Sequence, residues 1–228
     1  MVDQEQKENI RKQTIELFSG SKSFSKVAEA RGYKTFTIDN VKEFNPDYCI
    51  DILQVDINKL PKEPFILWAS PPCQTFSVAG RSNNYIRGVP QSLKACLGLA
   101  YVYKTLEIIE KIKPKYWFIE NPMGYLRTFE FMQKYKKNLV TYCQYGDKRM
   151  KPTDIWTNFS AWIPKKPCNN GDSCHESTPR GSQKGTQGLK NDFERSKIPE
   201  ALFNEIFDYL ENKKGVCKQE GIFSYKMS

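Results

Sequence analysis

No run of apolar residues in this 228-residue chain approaches the roughly 20 that a bilayer span needs, which excludes a membrane-spanning protein from the expectations. The polar start MVDQEQKENIRKQ carries no secretory signal, and the seven cysteines, an odd number, follow no framework spacing. Both absences point to a reducing, cytoplasmic setting rather than a disulfide-stapled secreted domain. Internal repeats and coiled-coil heptads are also missing, so one globular domain with a small appended lobe is expected. Histidine occurs once, at His175. Positive charge, by contrast, is abundant. The formal net charge of +9 favours an anionic partner, nucleic acid first, with plain solubility as the alternative.

Strand and helix patterns alternate along the chain. Thr14 to Phe18 reads as a strand, followed by Ser19-Gly20-Ser21 and an amphipathic stretch from Lys22 to Ala30 that Gly32 ends. Lys34 to Ile38 is a second strand closing on Asp39, Ile50 to Leu53 a third followed by Asp56, and Phe65 to Ala69 a fourth. Leu93, Leu97, Ala100, Tyr101, Leu106 and Ile109 stand at helical spacing within Gln91 to Lys113, and Pro114 stops that helix ahead of the strand Tyr116 to Ile119. Leu139 to Tyr142 and Asp154 to Phe159 form a closing pair. The order predicts an α/β fold with a mostly parallel, doubly wound sheet and an antiparallel hairpin at its end. The expected divisions are a main domain over 1–159, a lobe over 160–197 rich in Gly, Pro, Ser, Asn and Lys, and a helical segment over 198–228 returning to the main domain, with Pro199 in its first turn.

Chemistry gathers at the strand ends. In SPPCQTFS, residues 70–77, Pro71 and Pro72 cannot donate to a sheet ladder and hold φ near about −65°. Cys73 therefore sits on a stiff loop at a strand's carboxyl end, where open α/β sheets place ligands. Its other reading is a small buried hydrophobe. Phe18-Ser19-Gly20 runs into a helix start, whose amides can hold a carboxylate or phosphate. An acid such as Asp39 at the next strand end accepts from the two hydroxyls of a ribose, and Asp56 can accept from an exocyclic amine. Together these describe an adenosine site. FIENP, residues 118–122, brings Glu120 to the edge that carries Cys73, where a carboxyl group can keep a proton near neutrality and donate it. The alternative is that Glu120 and Asn121 cap a turn.

These pieces, in this order, resemble the DNA (cytosine-5)-methyltransferases, specifically their short phage-type branch. The matching segments are ELFSGSKSFSKVAEARGY, TIDN, VDI, SPPCQTFS, FIENP, YCQYGDKRMKPTDIWTN and RSKIPEAL, and the resemblance as a whole covers about residues 14 to 212. The resemblance implies a Rossmann-like, S-adenosylmethionine-dependent methyltransferase sheet and a monomer that modifies DNA, as in restriction-modification. It places Phe18 near the adenine, Gly20 and Pro72 against the cofactor, Asp39 on the ribose, Asp56 on the adenine amine and Ser196 as the closing cofactor contact. Cys73 would attack carbon-6 of a flipped cytosine while Glu120 protonates ring nitrogen 3. Arg149 and Lys151 would grip the flipped nucleotide, and S-adenosylhomocysteine would leave as product. The chain departs from the family pattern at Lys22, where a second glycine is usual. It also has ENP for ENV, Arg-x-Lys for Arg-x-Arg, and Arg195-Ser196 for Gly-Asn. Two other classes stay open here: an amino-methyltransferase, whose loop carries an aromatic where Cys73 stands, and a catalytically silent DNA-binding relative.

The lobe over 160–197 lies where the family keeps its target-recognition region, and it is far shorter than usual. Arg180, Lys184, Lys190 and Arg195 are its candidate DNA contacts, with solvated surface charge as the alternative. An apolar-poor lobe calls for a staple. Cys168, Cys174 and His175 cluster in sequence, and Cys143 can complete a tetrahedral zinc site, although the spacing matches no standard zinc signature.

Overall fold

A computed structural model describes residues 12–77, 84–176 and 192–211. Its main sheet has seven strands: β1 Gln13–Leu17, β2 Lys34–Asp39, β3 Tyr48–Cys49, β4 Ile66–Ala69, β7 Tyr116–Pro122, β8 Lys136–Thr141 and β9 Pro152–Thr157. A separate two-stranded hairpin pairs β5 Tyr85–Ile86 with β6 Val89–Pro90. The main sheet runs in the order β3-β2-β1-β4-β7-β9-β8, parallel throughout except that β9 is antiparallel to both its neighbours. The expected α/β class and the antiparallel end are therefore both present.

The strands are apolar on both faces because both faces are covered. Leu67 and Ala69 of β4 and Trp117 and Ile119 of β7 point to the side of helix α2, Leu93–Ile112, joining Ala95, Val102, Ile108 and Ile112. The alternate residues Ile66, Trp68 and Phe118 point the other way. There they meet Phe24 and Val27 of helix α1, Ser23–Ala30, and Leu202, Phe203, Ile206 and Phe207 of the C-terminal helix, Glu200–Leu210. Trp162 is fully buried in that second core, and its indole N–H donates to Glu205 Oε1 at 3.2 Å, so tight packing continues past residue 159. Each such aromatic contributes on the order of 2 kcal/mol by leaving water. No helix among the described residues is long and apolar enough to cross a membrane.

One strand differs from expectation. The third strand is Tyr48–Cys49, and Ile52–Gln54 is a 3₁₀ turn. Asp51 causes the change: its carboxylate accepts from Leu53 N at 2.8 Å and caps the turn, which draws the chain out of an extended path. Lys22 adopts left-handed backbone with φ 54 immediately before α1, a conformation glycine takes without cost. Its ammonium donates to the Asn45 carbonyl at 2.6 Å.

Candidate active site

Parallel register fixes which residues share an edge. Leu17, Ile38, Ala69 and Ile119 stand in one row across β1, β2, β4 and β7. One residue further on, the carboxyl edge carries Phe18, Asp39, Ser70 and Glu120 from four different strands. Beyond the first two of these residues, the edge opens into a cavity of about 360 Å³ lined by Glu16, Phe18, Gly20, Pro72, Gln74 and Ser196 among others. A smaller recess of about 50 Å³, lined by Phe18, Asp39, Asn40, Asp51, Ile52, Pro72 and Tyr101, adjoins it.

The loop bearing Cys73 is held down from two sides. Asn121, wholly buried in β7, donates from Nδ2 to the Pro71 carbonyl at 3.0 Å. Glu120 and Asn121 thus belong to a strand paired with β9 and do not cap a turn. The Cys73 carbonyl accepts from Phe76 N at 3.0 Å and Ser77 N at 3.1 Å, folding the chain back on itself. Phe76 is fully buried, and its own carbonyl accepts from Tyr125 N at 2.7 Å. Gly124 permits that approach, since a Cβ there would lie 2.1 Å from the Phe76 carbonyl oxygen. Gly98 on α2 does the same service for Thr75, whose Oγ1 would lie 2.5 Å from an added Cβ. The Cys73 loop is accordingly held in place by packing and backbone hydrogen bonds.

Glu120 is 5% exposed and accepts at Oε1 from the Tyr142 hydroxyl at 2.9 Å. Burial first, then the neighbouring carboxylate, pushes the Tyr142 phenol well above its ordinary value, so it acts here purely as a neutral donor. Lys151 completes the group. Its ammonium lies 4.6 Å from the centre of the Tyr142 ring and donates to the Arg195 carbonyl at 3.0 Å. Burial lowers the Lys151 pKa, and the charges of Glu120 and Cys73 oppose that shift. Arg149 has a different task. Its guanidinium forks onto Asp147 and donates to the carbonyls of Arg195 at 3.2 Å and Lys197 at 3.3 Å. It is 5% exposed, so it secures the 195–197 segment against the site and presents little surface to a nucleotide. Arg149 and Lys151, the pair expected to grip the flipped nucleotide, thus both contact the 195–197 backbone.

Beside the recess, Asp39 accepts from Gly20 N at 2.8 Å and Val41 N at 2.9 Å, one to each oxygen. A carboxylate offers about four lone-pair positions, so two remain for hydroxyls. Asp56 does not line either cavity. It is exposed and caps its own 3₁₀ turn by accepting from Asn58 N at 3.0 Å. Asp51 lines the recess together with Asp39, and it also accepts from the Tyr101 hydroxyl at 3.0 Å. Phe18 packs edge-on against Tyr101, with ring centroids 5.7 Å apart. Ser196 lines the larger cavity, its hydroxyl donating to the Phe193 carbonyl at 2.7 Å.

Glu16 carried no expectation, yet it lies in β1 directly behind the cofactor loop. Its two oxygens accept from Phe24 N at 3.3 Å and Ser25 N at 3.0 Å, capping the start of α1 in place of Lys22. Burial is the main cause that raises its carboxyl from the ordinary 4.5 to about 7; bonds from Ser25 and Phe24 and the charge of Lys22 oppose it. A folded pKa above the unfolded one means that the native state holds the extra proton between those values. Stability therefore falls as pH rises from 4.5 to about 7. The full effect corresponds to about 3 kcal/mol as an upper bound. Urea unfolding at pH 5 and pH 8 checks this: the parent is expected to lose stability relative to Glu16→Gln over that window, and parallel profiles would remove the assignment.

Arg180, Lys184 and Lys190 lie outside the described residues, and only the backbone carbonyl of Arg195 has a stated role above. The four residues singled out for metal do come together: the ligand atoms of Cys143, Cys168, Cys174 and His175 all lie within 4.8 Å of one another. Sequence reasoning missed Glu16, Asp51, Tyr101, Asn121 and Tyr142. Of these, Glu16, Asn121 and Tyr142 stand inside segments quoted above, whereas Asp51 and Tyr101 do not.

Residues 12–139 match the family described as C-5 cytosine-specific DNA methylase. The chain is 32% identical over 216 residues to the probable DNA (cytosine-5)-methyltransferase of Frog virus 3 (isolate Goorha), covering 85% of this chain and 98% of that protein. Matching solved structures include the Entamoeba histolytica methyltransferase EhMeth, with TM-score 0.48 and 15% identity over 69% of this chain and 57% of that one. The S. pombe Dnmt2 methyltransferase gives 0.45 and 15% over 66% and 51%. This chain therefore spans little more than half the length of those two solved proteins.

Proposed function

Because the chain belongs to the C-5 cytosine-specific DNA methylase family, we propose that it methylates carbon-5 of cytosine in DNA through a covalent adduct at Cys73. The observation that carries this reading is the single sheet edge on which a rigid cysteine loop, a buried carboxyl group and a lysine adjoin a cavity with carboxylates in place for a nucleoside.

The cavity fits S-adenosylmethionine. Asp39 has two lone-pair positions left for the ribose hydroxyls, and Asp51 and Phe18 stand at the recess that an adenine would enter. The carboxyl group of Glu16 faces the end where a methionine ammonium would lie. When bound, that cofactor supplies an electrophilic methyl group and departs as S-adenosylhomocysteine.

The protein's residues do the rest. The Cys73 thiolate adds to carbon-6 of the cytosine, and Glu120 passes its proton to ring nitrogen 3, so that electron density builds at carbon-5. Lys151 puts positive charge beside the thiol, the setting in which a thiolate is favoured. Once carbon-5 carries the methyl group and loses its proton, elimination returns the electron pair to the sulfur, and nitrogen 3 gives its proton back to Glu120. A stacked base cannot reach a loop so firmly packed. The cytosine must leave the duplex, at a cost of a few kcal/mol. The net charge of +9 serves that encounter with the phosphate backbone.

A transfer assay with isotope-labelled S-adenosylmethionine and plasmid DNA, followed by nucleoside separation, tests the reading. Label is expected in 5-methylcytosine. Label on an exocyclic amine would assign the amino-methyltransferase class, and none at all the silent relative. Mapping the product at base resolution is expected to give a recognition sequence of only a few base pairs, since the 160–197 segment offers few side chains for reading base edges.

A further inference from the structure

We propose that Cys143, Cys168, Cys174 and His175 bind a structural zinc ion. Cys143 stands on the 3₁₀ turn Tyr142–Tyr145 that follows β8, and the other three lie on the irregular segment beyond Trp162. The sulfur atoms of Cys143 and Cys168 are 3.0 Å apart, and those of Cys143 and Cys174 are 3.6 Å apart. His175 Nδ1 is 3.7 Å from the Cys168 sulfur and 3.6 Å from that of Cys174. A tetrahedral zinc with bonds of about 2.3 Å to sulfur and 2.0–2.1 Å to nitrogen places sulfurs roughly 3.8 Å apart and sulfur from nitrogen roughly 3.6 Å. The sulfur–nitrogen edges already have that length, and a small outward movement of Cys143 or Cys168 gives the rest.

Three thiols and one imidazole facing a common centre make a poor hydrophobic contact and weak hydrogen bonds, but a complete ligand set. The surroundings suit an ion. Thr141 Oγ1 accepts from Cys168 N at 3.1 Å, and Gln144 Nε2 donates to the Cys174 sulfur at 3.5 Å, which orients two of the ligands. Zinc binding would release the thiol protons and leave three thiolates and Zn²⁺ with one net negative charge. Lys148, paired with Glu176 at 3.6 Å, and Lys165, donating to the Gln144 carbonyl at 2.9 Å, are the nearby cations.

The segment needs such a clamp. Between residues 163 and 176 the only apolar side chain apart from the prolines and cysteines is Ile163, and it is 71% exposed. Hydrophobic burial therefore cannot fix this segment, whereas metal coordination can. Bound zinc would lock it to the turn that leads directly into Asp147, Arg149 and Lys151, joining the recognition segment to the active edge.

The test uses the full chain purified without chelator from zinc-supplemented medium, and its readout does not depend on activity. Elemental analysis is expected to give about one zinc per chain, and zinc X-ray absorption three sulfur neighbours near about 2.3 Å with one nitrogen. Cys174→Ser should lower the zinc content below a tenth of an equivalent, while Cys96→Ser, an exposed cysteine outside the cluster, should leave it unchanged. If Cys174→Ser fails to fold, the absorption spectrum of the parent still decides. Less than a tenth of an equivalent in the parent, a mass showing Cys143 joined to Cys168 as a disulfide, or a zinc with fewer than three sulfur ligands would overturn the proposal.

Discussion

Cys73→Ser is expected to lower methyl transfer by more than about a thousandfold while leaving S-adenosylmethionine affinity within about twofold of the parent. The separation follows from where the side chain sits. Pro72 and Gln74 line the cofactor cavity, whereas Cys73 between them does not, so the loop can keep its cofactor surface when the sulfur is lost. A serine hydroxyl stays protonated at neutral pH and is a far weaker nucleophile than a thiolate, so addition to carbon-6 stops. Binding by calorimetry and turnover by label incorporation read the two effects independently. DNA carrying 5-fluorocytosine adds a positive control, because fluorine cannot leave carbon-5 as a proton does, and the parent should be retained as a covalent complex that the variant never forms. Residual activity above a hundredth of the parent would remove the covalent mechanism, and a parallel loss of cofactor affinity would mean that the loop itself had collapsed.

The parts of this site legible in sequence are those that a strand end fixes locally. Phe18 follows β1, Asp39 ends β2, Cys73 stands on the loop after β4 and Glu120 lies near the end of β7, and parallel pairing sets those strand ends on one edge with no further information. The two prolines before Cys73 and the Pro114 stop after the long helix are equally local. What stayed hidden depends on contacts between distant segments. Asp51 and Asp56 are each followed by isoleucine and each caps a 3₁₀ turn, so nothing nearby separates them. Tyr101, fifty residues further along on α2, makes the distinction by donating to Asp51 alone.

The third strand was misplaced for a related reason. Ile50, Ile52 and Leu53 supply enough apolar character for an extended run, but the Asp51 cap on Leu53 N breaks it. Arg149 and Lys151 likewise differ through their surroundings. Asp147 and the carbonyls of 195 and 197 occupy the first, and the Tyr142 ring holds the second toward Glu120. At Gly124 it is the Phe76 carbonyl across the fold, and nothing nearby in sequence, that excludes a side chain.

Glu120→Gln is expected to reduce kcat by about 10² to 10⁴-fold with little change in DNA affinity. The amide keeps the shape, and its oxygen can still accept from the Tyr142 hydroxyl that now bonds Oε1 at 2.9 Å, so packing beneath the site is preserved. What it cannot do is release a proton to ring nitrogen 3. Without that proton the negative charge delivered by the cysteine has no sink in the ring, and carbon-6 stays a poor electrophile. Lys151 alone cannot replace the lost group, because its ammonium is already held between the Tyr142 ring and the Arg195 carbonyl. Tyr142→Phe provides the graded comparison. It removes only the donor that orients Glu120, so a loss of roughly tenfold is expected, with the proton relay itself intact. Single-turnover rates on one duplex, with DNA affinity measured alongside, check both variants. A Glu120→Gln rate within tenfold of the parent, or a Tyr142→Phe loss as large as that of Glu120→Gln, would move the protonating role away from Glu120.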